Sequence, residues 1–280
     1  MSEKNEITTV NPDMPQMNGV SFDNINQGTV AVESHRAIAE AQGKLVIAKR
    51  FPRDEFQAFA DMKKACQRPG LASKAFYSYP RGGETISGPT IRLAEELARC
   101  WRNIEYGIKE LSQDNGKSEM QAFAWDLEAN TMSVQNFTNP HAREVKNKGQ
   151  TTIKQLTSLR DIYENNANMA GRRLRARILA VLPADFVEEA IAECKKTLAG
   201  KNDTPLADRV RNMIVQFEKL GVTREMIEKR LKRSVDTMNA TDLTDYVGIF
   251  NSLKDGQTKI SDWFEYTQES DLTAKLEEVL

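Results

Sequence analysis

Cysteine and histidine are scarce, and their scarcity closes off several kinds of chemistry. The three cysteines among 280 residues, Cys66, Cys100 and Cys194, lie far apart. That argues against a disulfide framework and for a reducing compartment. The two histidines, His35 and His141, fall in different segments with no cysteine at ligand spacing, so no metal site is expected. No stretch approaches the ~18 apolar residues of a membrane helix. The opening residues, MSEKNEITTVNPDMPQ, lack the basic-then-apolar order of a signal peptide, and a cytoplasmic location is expected. A phosphate-cradling GxxxxGKS/T motif is missing, and Gly82-Gly83 has neither the lysine nor the strand-to-helix context. There is no GxSxG nucleophile elbow. No catalytic residue and no cofactor are therefore expected. Asp126 and Glu128, with Lys146 downstream, can be forced into a metal-dependent nuclease constellation. They sit in a hairpin turn, where acids are ordinary.

What the sequence does have is segregated charge. Its formal net charge of −1 comes from 39 basic and 40 acidic side chains that are not mixed. Residues 1–40 hold 2 basic and 6 acidic groups, residues 41–183 hold 23 and 15, and residues 184–280 hold 14 and 19. A centre of +8 between ends of −4 and −5 points to a polyanion-binding core with acidic arms. Hydrophobic content of 40% supports a core but is low for one 280-residue globule. Tails are expected at 1–28 and 267–280, the first rich in Asn, Pro, Met and Gly.

The apolar period predicts helices over 29–50 and 53–67. Strands 75–79 and 85–87 form a hairpin about the turn 81–84. Gly88-Pro89 is read as the start of a helix over 90–101. Strands over 103–111, 119–127 and 131–137 form an antiparallel meander, its first turn being Asp114-Asn115-Gly116. Residues 141–150 read as a basic loop. A long helix covers 158–182, with Ser158 and Asp161 as a capping box. Another reaches 198, and 201–205 is a linker. Residues 206–266 give three short helices punctuated by Gly221, Asn239 and Gly256. The expected class is α+β: a hairpin and a three-stranded meander packed on helices, one long and basic, plus a small all-α C-terminal module. The expected domains are a core at 29–200 and the module at 206–266.

The long helix is the most informative element. Leu159, Tyr163, Ala167, Ala170, Leu174, Ile178 and Val181 trace one apolar stripe. Arg172 falls nearly opposite it, Arg175 well away, Arg173 near its edge, and Arg160 and Arg177 flank it. No acid intervenes between Asn165 and Pro183, so these cations lack helical-spacing partners. Arginine's planar fork suits phosphate oxygens. The loop before the helix adds Arg143, Lys146, Lys148 and Lys154, which suit a sugar-phosphate chain, although taken alone they read more simply as a solvated loop. In KAFYSYPRGG, alternation puts Tyr77 and Tyr79 on one face, bracketed by Lys74 and Arg81. Single-strand binders pair basic grooves with such aromatic platforms.

The order of elements, the stretch MAGRRLRARILAVLP (169–183) and the stretch FEKLGVTREMIEKRLKRS…LTDYVGIFNSLKDGQTKISDWFE (217–265) together resemble phage single-strand DNA annealing proteins of the RecT/Redβ type. The resemblance covers about 30–265. It implies binding of single-stranded DNA, assembly into rings or helical filaments, and ATP-independent pairing of complementary strands into annealed duplex. Arg172, Arg173 and Arg175, with Lys148 and Lys154, would then hold the backbone. The family's C-terminal modules recruit partners such as a phage exonuclease or the host single-strand binding protein. The basic cluster Lys229, Arg230, Lys232 and Arg233 is either a dock for an acidic peptide or a solvated helix face. A DNA nuclease and an adaptor protein remain the competing readings.

Overall fold

The computed structural model describes residues 27–114, 116–147, 150–200 and 204–265. The chain divides into two units, Met1–Lys44 and Leu45–Leu280. Of the first, the described residues belong to helix α1 (Gln27–Arg50). The two expected tails lie outside the described residues, apart from 27–28. Within the second unit, Pro52 interrupts the helix and Asp54 caps α2 (Glu55–Cys66), its carboxylate accepting from the Gln57 amide at 3.1 Å. A single turn, α3 (Pro69–Ala72), follows.

Strands β1 (Phe76–Arg81) and β2 (Glu84–Pro89) form the expected hairpin. Both turn residues, Gly82 and Gly83, have positive φ, which suits the two-residue turn that joins twisted strands. Pro89 does not open the next helix. It ends β2 opposite Phe76, and Thr90 caps α4 (Ile91–Trp101) instead. A proline at a strand end removes no ladder hydrogen bond, and the Thr90 hydroxyl is free to accept from the Leu93 amide.

The meander is present as β3 (Ile104–Asp114), β4 (Lys117–Asp126) and β5 (Thr131–Pro140), antiparallel in the order β3-β4-β5. On β4, Met120, Ala122 and Ala124 are buried on the inner face. The expected basic loop is instead a second hairpin, β6 (Ala142–Asn147) and β7 (Gln150–Gln155). Its sequence shows no apolar alternation to mark it as strand. Ile153, its largest apolar residue on β7, is 72% exposed.

Helix α5 (Leu159–Ala180) is the expected long helix with a different buried face. The C-terminal half of the stripe holds, with Ala170, Leu174 and Ile178 buried. In the N-terminal half Ile162 and Asn166 face inward, whereas Leu159 and Tyr163 are 75% and 70% exposed. Asn166 is buried because its amide is partnered. It accepts from Asn139 at 2.7 Å and donates to the Ser118 hydroxyl at 2.9 Å. A hydrophobicity count cannot see that satisfaction. Ser158 stands at the helix N-cap but its side chain makes no capping hydrogen bond, so the expected capping box does not form.

Helix α6 (Ala184–Ala199) follows Pro183 and brings Phe186 against Phe59 and Trp101, with ring centroids 5.0 and 4.9 Å apart. The C-terminal region is helical, with α7 (Leu206–Glu218), α8 (Arg224–Leu231) and α9 (Ala240–Lys254). Gly221 and Gly256 turn the chain at positive φ. Asn239 and Asp242 form a capping box that starts α9. This region has its own apolar core around Phe217, Val222, Met226, Ile227 and Tyr246. It is nevertheless joined closely to the first core. The Asn251 amide donates to the Phe76 and Ser73 carbonyls at 2.8 and 3.0 Å. A Cβ at Gly248 would stand 2.2 Å from the Ser78 hydroxyl oxygen. Only glycine lets α9 approach β1 this closely.

Candidate nucleic-acid interface

The α5 arginines point to two sides of their helix. Arg172 is exposed, and its Nη2 donates to the Asp255 and Gly256 carbonyls at 3.0 and 3.2 Å. The Arg175 guanidinium lies 4.8 Å from the centre of the Tyr77 ring. On the other side, Arg173 lies 4.2 Å over Phe137 and donates to the Met169 carbonyl. Arg177 donates to the Ser133 hydroxyl at 3.1 Å, and its buried Nε has no hydrogen-bond partner among the described residues. No ion pair among the described residues engages any of the four. Four cations within six residues keep an unneutralised charge, which is the condition for attracting a polyanion.

Arg172 and Arg175 line a groove of about 540 Å³ whose other walls come from distant segments. Arg92, in the first turn of α4, and Lys254, the last residue of α9, both line it. Asn165, Asn168 and Gln257 supply neutral polar groups, and Asp255 is the acid on the lining. Arg92 and Lys254 did not stand out in the sequence. Arg92 shares α4 with Arg99 and Lys254 is the single cation of α9, and only the fold brings them to the arginine cluster.

Next to this groove stands the aromatic pair. Tyr77 and Tyr79 lie on one face of β1 with ring centroids 5.9 Å apart and planes 28° apart. Both rings are half-buried. Tyr77 lies over Gly88 across the hairpin, where a Cβ would come within 2.8 Å of the ring. The ring therefore has Gly88 opposite it across the hairpin and the Arg175 guanidinium over it, and Arg175 links the aromatic pair to the groove.

The remaining expected contacts are not gathered here. Lys74 and Arg81 are exposed at the two ends of β1, outside the groove lining. Lys154 on β7 and Arg160 at the start of α5 are exposed and also lie outside it. Lys148 lies outside the described residues.

The nuclease constellation is fastened as a clasp. The Arg53 guanidinium pairs with Asp126, and its Nε donates to Glu128 at 3.1 Å. Arg53 also lies 5.0 Å over the Trp101 ring. Asp126 accepts from the Glu128 and Ala129 amides at 3.0 and 3.1 Å, closing the turn. Burial pushes the Glu128 carboxyl up. Hydrogen bonds from the Arg53 amide, the Asn103 side chain and the Arg53 side chain, with the guanidinium charge, outweigh it and leave the group below its ordinary value. Among the described residues no cluster of His, Cys, Asp and Glu could hold a metal ion.

The C-terminal basic cluster is largely engaged within the C-terminal helical region. Lys229 pairs with Glu265 at 2.6 Å. Arg230 donates to the Trp263 carbonyl at 3.0 Å and lies 4.9 Å over that indole. Arg233 pairs with Asp242 and donates to the Thr237 carbonyl. Lys232 is exposed at a left-handed helix cap. Among the described residues no helix is long and apolar enough to cross a membrane. Compared with family models, curated proteins and solved structures, the chain matches none.

Proposed function

We propose that this chain binds single-stranded DNA and pairs complementary strands without nucleotide hydrolysis, as an annealing protein of phage-type recombination acting in the bacterial cytoplasm. The observation that carries the reading is one juxtaposition. A stacked tyrosine pair adjoins, through Arg175, a groove lined by Arg92, Arg172, Arg175 and Lys254 against one acid. Cations that follow a backbone, beside aromatic faces that take unpaired bases, are what a sequence-tolerant single-strand site requires. An arrangement that holds phosphates leaves base edges free to test a second strand. That mechanism needs no catalytic group.

On this reading the chain works as RecT/Redβ-type proteins do and assembles into rings or filaments. Phe51 and Phe56, 65% and 91% exposed, offer apolar surface for self-association. Recruitment of an exonuclease or a host single-strand binding protein would fall to the C-terminal domain. The nuclease reading is disfavoured because Arg53 already occupies Asp126 and Glu128.

Binding to a labelled oligothymidylate across a salt series tests the proposal. Each phosphate neutralised on a single strand contributes about −0.7 to the slope of log K against log salt. Arg92, Arg172 and Arg175 alone predict a slope of about −2. A flat salt response, or no binding at low salt, would sink it.

A further inference from the structure

We infer that the small helical C-terminal domain is itself part of the strand-binding groove, with Lys254 as a backbone-phosphate contact and Arg172 as the residue that positions it. This rests on the nucleic-acid reading of the groove and assigns a second role to a domain otherwise read as a partner dock.

Three observations converge. The end of α9 forms one wall of the groove, so Lys254 stands on the same lining as Arg92 and Arg175. Neither Lys254 nor Arg92 has an ion pair among the described residues, and both are exposed. A helix C-terminus carries partial negative charge and repels anions. Here Arg172 reaches across from α5 and donates to the Asp255 and Gly256 carbonyls at that end. It holds α9 against the groove and offsets its dipole, so a phosphate can approach Lys254. The wall is rigid, because α9 is pinned to β1 by Asn251 and by the close approach at Gly248.

Binding and domain position must then be linked. If α9 contributes contacts to the strand, the strand stabilises α9 by the same free energy. The backbone amides of Asp255, Gly256 and Gln257, which donate to the Asn251, Leu253 and Ser252 carbonyls, are the natural reporters.

The test uses the full chain, oligothymidylate as probe, three variants for binding, Lys254→Ala, Arg92→Ala and Arg175→Ala, and Arg172→Gln for hydrogen exchange. Lys254 and Arg92 are exposed, so unchanged melting is expected. Lys254→Ala should weaken binding roughly 3- to 10-fold at low salt and make the salt slope shallower by about 0.7. Oligothymidylate should slow hydrogen exchange at Asp255–Gln257 in the wild type, and less so in Arg172→Gln. Wild-type affinity and slope for Lys254→Ala, with weakened Arg92→Ala and Arg175→Ala, would overturn the inference and leave the groove reading standing. Wild-type behaviour of all three variants would overturn both. Unchanged exchange at the end of α9 on binding would also overturn the inference.

Discussion

Arg53 shows how one residue decides between two readings of the same carboxylates. Its guanidinium and Asp126 are each only 6% exposed. Removing one partner of a buried pair strands the other charge, which costs about 3–5 kcal/mol. Arg53→Ala should therefore lose stability of that order in urea unfolding, and a loss under about 1 kcal/mol would contradict the clasp. The pH dependence follows from Glu128. Its folded-state pKa is depressed, so the unfolded chain takes up the proton first as pH falls. The contribution is complete above about pH 4.5 and drains away as pH drops through the folded value. Glu128→Gln should flatten that part of the acid unfolding curve. A variant with an unchanged acid slope would show that the carboxylate is not held ionised by Arg53.

At the scale of elements, α5 is the clearest case of what could and could not be read in advance. Its length and its arginines were legible, because the apolar period and the absence of acids are local properties. Its N-terminal buried face was not, because Asn166 belongs to a polar chain running through Asn139, Ser118 and His141. The Ser118 oxygen lies 2.8 Å from the His141 Nε2. Asn166→Ala should cost about 2 kcal/mol by leaving those buried groups short of partners. Tyr163→Ala on the exposed face should stay within about 0.5 kcal/mol. Equal effects would mean that the apolar stripe, not the polar chain, faces the core. The hairpin β6–β7 was missed because its polar, basic sequence carries no apolar alternation. The meander was legible because its turn residues and its alternation agree.

The join between α9 and β1 was also out of reach, since it depends on one glycine meeting one serine across 170 residues of chain. Gly248→Ala should destabilise by about 1–3 kcal/mol through overpacking. Adding Ser78→Ala should recover part of that loss. Simple additivity of the two would show that they do not meet.

For the whole molecule, the near-zero net charge conceals a groove lined by four cations. The basic centre of the sequence supplies Arg92, Arg172 and Arg175, yet the groove is completed by Lys254 from the acidic C-terminal block. The three-block charge pattern thus points to the arginines of the groove and not to Lys254. That wall exists because two apolar cores, each with its own helices, are locked together through β1. The aromatic pair, the arginine side of α5 and the end of α9 then form one continuous surface.

The central claim is that this surface holds single strands in a form ready to pair. The most direct measurement is the rate at which two complementary labelled oligonucleotides anneal, followed by fluorescence transfer without nucleotide or metal. The account predicts that the wild-type chain speeds annealing well above the protein-free rate, and that Arg175→Ala with Tyr77→Ala loses most of that acceleration while remaining folded. A folded wild-type chain that binds the strands but leaves the annealing rate unchanged would contradict it.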